Sequence, residues 1–155
     1  SEHDPQTPFE MLTAGRAPER LPQAALEAAM TLAEQRAQHG DGVVVLSVLP
    51  TPTLLDEERS ARMRSIARHS PLVALFGDEL GSEPVAEASG VQLAPGDRLI
   101  GSWCLVVLGT GLAIALAAEQ QPEGDYLVAR STDPNLVVAA ARTLLPRLTA
   151  DSLRS

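Results

Sequence analysis

Three histidines, one cysteine, a Gly-Thr-Gly triplet, a run of arginines and a single tryptophan are the residues here whose chemistry reaches beyond packing. Catalysis needs acid, base or nucleophilic groups that converge on one point. His3 falls in a polar N-terminal arm, and His39 and His69 fall at the ends of two helical segments. Such positions ordinarily hold solvated or dipole-stabilising imidazoles. No HExxH, metal-spaced acidic cluster or nucleophile elbow occurs, so no catalytic residue, metal ligand or cofactor is expected. Cys104 is alone, which excludes an intrachain disulfide and a cysteine-based zinc site. It opens an apolar strand with no basic neighbour close in sequence, and so reads as a buried, inert thiol rather than a redox sensor.

Gly109-Thr110-Gly111 follows a strand. It would cradle a phosphate only if a helix came next, whereas a hairpin turn needs the same glycines, and the hairpin is the reading preferred. Arg59, Arg62, Arg64 and Arg68 follow Asp56-Glu57-Glu58 on one helical segment. They offer an anion site, but exposed pairing with those acids at helical spacing is the more ordinary arrangement. Trp103 is either a core anchor or one wall of a ligand pocket, and is the one candidate for a ligand-binding residue.

The elements that must position these residues alternate helix and strand. Leu21 to Gln38 is an Ala-rich helix, with Pro22 in its first turn and Gly40 as its stop. One apolar stripe runs Leu21, Ala25, Ala28, Ala29, Leu32 and Arg36; a neighbouring one runs Leu26, Met30, Ala33 and Ala37. Val43 to Leu49 is a strand buried on both faces. Thr53 and Asp56 suggest a capping-box start for the arginine-bearing helix, which Ser70-Pro71 ends. Leu72 to Phe76 completes a β-α-β unit with a parallel crossover. An acidic connector over residues 77–90 leads to a short strand at Val91 to Leu93 and a turn at Pro95-Gly96-Asp97. Trp103 to Leu108 and Leu112 to Ala118 form the hairpin, and Tyr126 to Arg130 is a further strand. Asp133-Pro134 opens the last helix, with Asp as N-cap and a core stripe of Val137, Ala140, Ala141, Leu144 and Leu148. Pro146 should kink or stop that helix.

The expected fold is therefore α/β: one domain with a mixed central sheet packed by N-terminal, middle and C-terminal helices. Residues 1–20 read as a linker or loosely ordered arm, 21–150 as the domain and 151–155 as a tail. With 155 residues the chain is of single-domain size, and its 45% apolar content excludes a wholly disordered chain. A net charge of −8 disfavours direct nucleic-acid binding and anionic membranes, and four aromatic residues leave little to stack on a base. The polar start at Glu2, His3 and Asp4 carries no signal-peptide pattern, and the longest apolar stretch is too short to span a bilayer. A soluble, cytoplasmic protein is expected.

Gly90 to Leu99 (GVQLAPGDRL), Trp103 with Leu105 to Leu108, the strand ending Ala117-Ala118-Glu119, and Leu136 to Leu145 (LVVAAARTLL) follow one another over residues 90–148. In these residues and their order the chain resembles the DICT sensory domains, which occur with diguanylate cyclases and two-component systems and in some MerR-like regulators. The N-terminal half agrees in its order of elements, and residues 46–51 depart from the Phe- and Gln-containing stretch that the family often carries there. The resemblance implies a non-catalytic bacterial signal-input domain. It would sense a small ligand or partner and couple through its helices to an output domain or signalling partner. A homodimerisation or interaction module without ligand is the alternative, and a nucleotide-binding α/β enzyme using the Gly109–Gly111 loop is a third reading.

Overall fold

The near-continuous apolar runs at Val43–Leu49, Leu72–Phe76 and Trp103–Leu108 require strands covered on both faces. The computed structural model, which describes residues 6–154, supplies both covers. Its elements in chain order are α1 (Pro8–Thr13), β1 (Glu19–Leu21), α2 (Gln23–Gln38), β2 (Val44–Val48), a short 3₁₀ turn (Pro52–Leu54) and α3 (Glu57–Ala67). Then come β3 (Leu72–Gly77), β4 (Ser89–Gln92), β5 (Trp103–Gly109), β6 (Leu112–Gln120), β7 (Tyr126–Ser131) and α4 (Pro134–Arg154). The seven strands form one mixed sheet in the order β1-β7-β6-β5-β2-β3-β4. The β2–β3 and β3–β4 pairs are parallel and the rest antiparallel.

Alternation along the strands divides the core in two. Val45, Leu75, Trp103, Leu105, Val107 and Leu116 face α2 and α3, whereas Leu46, Phe76, Cys104, Val106, Ala115 and Ala117 face α1 and α4. This is a three-layer α/β/α domain, and it has the expected mixed central sheet packed by N-terminal, middle and C-terminal helices. Two glycines are fixed by close approach. A Cβ at Gly90 would lie 1.8 Å from the Gly81 carbonyl oxygen, and one at Gly109 would lie 2.6 Å from Val43 Cγ1.

Four expectations need correction. The segment read as a loose arm holds α1, closed by a capping box: Glu10 N–H donates to Thr7 Oγ1 (3.2 Å), and Thr7 N–H donates to Glu10 Oε1 (3.0 Å). Pro8 sits in the first turn, where proline is tolerated, and Leu12 is buried. The same segment adds β1 to the sheet edge beside β7. Leu21 belongs to that strand, so α2 starts at Gln23 with Pro22 as its N-cap.

The cap of α3 is Asp56 itself, whose carboxylate accepts from Arg59 N–H at 2.9 Å. Thr53 is taken up by the 3₁₀ turn, its hydroxyl 2.8 Å from that of Thr51. Finally, α4 continues through Pro146 and through the expected tail to Arg154. Proline removes the N–H that would reach the Arg142 carbonyl. One residue on, the Arg147 guanidinium donates to the Thr143 carbonyl (2.8 Å), next to the Arg142 carbonyl that the proline leaves without its helical donor.

Candidate functional site

Arg59 and Arg62 do not take the exposed positions that their spacing suggests, whereas Arg64 and Arg68 are exposed. Arg59 is 0% exposed and reaches across to α2: its Nε donates to Glu34 (2.9 Å), one terminal nitrogen to Glu27 (2.9 Å) and the other to the Leu54 carbonyl (2.8 Å). Arg62 donates to the other oxygen of Glu34 at 2.8 Å. Burial works against the Arg59 charge, but the Glu34 and Glu27 carboxylates outweigh it and raise its pKa. The guanidinium also lies 5.4 Å from the centre of the Trp103 ring, a cation–π distance. Trp103 is 1% exposed and meets Tyr126 edge-on, with ring centres 6.4 Å apart. Trp103, the sequence candidate for a pocket wall, thus sits in the core as an anchor.

A second ion cluster ties α4 to the turn before β5. The Arg147 guanidinium makes a two-pronged pair with Asp97 (2.8 Å for each contact) and donates to the Gln6 carbonyl at 3.0 Å. Burial alone would push the Asp97 carboxyl up. Hydrogen bonds from Arg147 and the Leu99 N–H, with the charges of Arg147 and Arg98, reverse this and hold it below the usual range. A cleft of about 330 Å³ borders this pair, lined by residues 92–98 and by Pro146, Arg147 and Ala150. The polar groups at its floor are already spent on each other.

The second cleft differs. It measures about 370 Å³ and opens between α2 and the ends of β6 and β7. Its walls are Ala29, Leu32 and Ala33 on the helix and Ile114 and Leu116 on the sheet; its cations are Arg16, Arg36 and Arg130. Arg130 pairs with Glu19 across the β1–β7 edge. Arg16 and Arg36 have no ion-pair or side-chain hydrogen-bond partner among the described residues. Leu32 is 61% exposed. Of the two apolar stripes on α2, Leu26, Met30, Ala33 and Ala37 enter the core, joined by Glu34. The other stripe, with Ala29, Leu32 and Arg36, turns to this cleft instead. An arginine in line with an apolar stripe was the signal available in the sequence. Arg16 and Arg130 carried none, because only the fold brings them beside α2.

The remaining candidates scatter. Cys104 is 0% exposed, and burial pushes its thiol up to about 12. His39 caps α2, its Nδ1 2.8 Å from the Gln35 carbonyl, and His69 is exposed just past α3; His3 lies outside the described residues. Gly109 pairs with Leu112, and Gly111 has φ of 69°. A hairpin turn therefore carries these glycines, and a strand rather than a helix follows it in the chain, so the loop lacks the strand–loop–helix order of a phosphate cradle. No helix among the described residues is long and apolar enough to cross a membrane. In comparisons with known proteins the chain matches no protein-family model, no curated protein and no solved structure.

Proposed function

We propose that this chain is a non-catalytic sensory domain that takes a small ligand into the cleft between α2 and β6–β7 and passes the event on through its helices. The observation that carries the reading is the double role of α2. Its outer stripe, Ala29, Leu32 and Arg36, lines an open cleft, while Glu34 on its inner side is tied to Arg59 and Arg62 of α3. A ligand that shifts α2 therefore acts on the ion pairs that join it to α3, and packed interfaces of this kind favour discrete arrangements over continuous bending. The resemblance of residues 90–148 to DICT domains supports the same reading, with an output domain or signalling partner as the receiver and a cytoplasmic setting.

A screen by thermal shift and native mass spectrometry tests it. Retention of a small molecule, with changed hydrogen exchange in α2 and α3, is the expected result. A mass that doubles with concentration and no retained ligand favours the homodimerisation module instead. Retention of neither ligand nor partner, together with unchanged output when the domain is deleted, overturns the sensory reading.

A further inference from the structure

We infer that the α2–β6–β7 cleft selects an amphipathic anion, a molecule with an apolar body and a single anionic head; this rests on the sensory reading above. Three observations converge. The walls at Leu32, Ile114 and Leu116 are aliphatic, and Leu32 stands 61% exposed in a position that an apolar body would cover. Two guanidiniums at the rim, Arg16 and Arg36, lack partners among the described residues, in a chain of net charge −8 that offers many acids to pair with. The volume, about 370 Å³, falls within the range of small-molecule sites.

The head is read by guanidinium and not by the nearby start of α4. There the Asp133 carboxylate already accepts from Asn135 N–H at 3.0 Å, so the helix end is capped by the protein's own anion. Arg130 is neutralised by Glu19 and contributes its stem more than its charge. A planar guanidinium suits either a carboxylate or a phosphate head, both being recognised in two-pronged fashion.

The test is a titration of the full chain, followed by backbone amide shifts, with four ten-carbon probes kept below their micelle concentrations: decanoate, decyl phosphate, decanol and decyltrimethylammonium. Shifts at residues 29–36 and 114–116 with the anionic probes are expected, and whichever head binds more tightly identifies the natural one. Decanol and the cation should bind at least about tenfold more weakly, the worth of one charge-assisted hydrogen bond. Arg36→Gln and Arg16→Gln should each weaken decanoate by a similar factor, and Leu32→Gln should weaken all probes together. Decanol binding as well as decanoate overturns the inference, as do shifts confined to other regions or affinities untouched by both arginine variants. Arg36 shifts that grow with protein concentration alone also overturn it, in favour of a second copy. If these probes fail while another small molecule perturbs α2, the ligand class falls and the sensory reading stands. If no molecule or partner is retained and domain deletion is silent, both fall.

Discussion

Two pairs of arginines flank α2 and are used in opposite ways. Arg59 and Arg62 press against its inner side, where Arg59 is fully buried and both share the Glu34 carboxylate. Arg36 on its outer side and Arg16 beside it meet no acid among the described residues. Residue type does not separate the two pairs; desolvation does. A buried guanidinium must be matched donor by donor, because an unmatched buried charge is too costly to keep. An exposed one is stabilised by water and remains available. The inner pair therefore belongs to the architecture, and the outer pair is free to meet something else.

The largest effect should come from breaking the inner set. Arg59→Ala leaves Glu34 buried beside a void and strips one face of Trp103, and should cost about 3–5 kcal/mol in urea unfolding. The double variant Arg59→Met, Glu34→Leu should recover part of that loss, because it removes the buried carboxylate and keeps the volume, while Arg62 loses its Glu34 partner and must turn to water. A loss below about 1 kcal/mol for Arg59→Ala would mean that burial does not set the two pairs apart.

Arg147→Ala should come next, at about 2–3 kcal/mol, since Asp97 keeps its bond from Leu99 N–H when the guanidinium goes. The Asp97 carboxyl titrates below its ordinary value of 3.8 in the folded state. Its contribution is thus fully present above that value and is lost as pH falls through the lower, folded-state value. Acid titration of stability should show that loss in the parent and much less of it in Arg147→Ala.

What the sequence revealed follows the same divide between local and distant causes. Strands β2, β3, β5, β6 and β7, the parallel β2–β3 pair and the Gly109–Gly111 hairpin were legible because apolar runs and glycines act within a few residues. Helix α1 was legible in principle from Thr7-Pro8 and Glu10, but three prolines nearby masked the cap. The pairing of Arg59 was not legible. Asp56, Glu57 and Glu58 stand at the local spacings, whereas its true partners, Glu27 and Glu34, lie 32 and 25 residues away on another helix. The cleft was half legible, as a second apolar stripe on α2 ending in Arg36. Its completion by Arg16 and Arg130 depends on β1 and β7 lying side by side, which no local pattern announces.

The mildest substitutions sharpen the comparison most, because they separate packing from charge at one place. Gly109 and Arg36 border the same groove at the foot of the β5–β6 hairpin. Gly109→Ala forces a methyl against Val43 and should cost about 1–3 kcal/mol, a cost that Val43→Ala relieves. Arg36→Gln meets no such contact. It removes only a cation in the last turn of α2, where the helix dipole favours positive charge by about 0.3–1 kcal/mol. Its unfolding midpoint should therefore barely move, while its affinity for decanoate drops. If Arg36→Gln instead destabilises the fold as Arg147→Ala does, Arg36 belongs with the architecture, and the distinction between inner and outer arginines fails at its most exposed member.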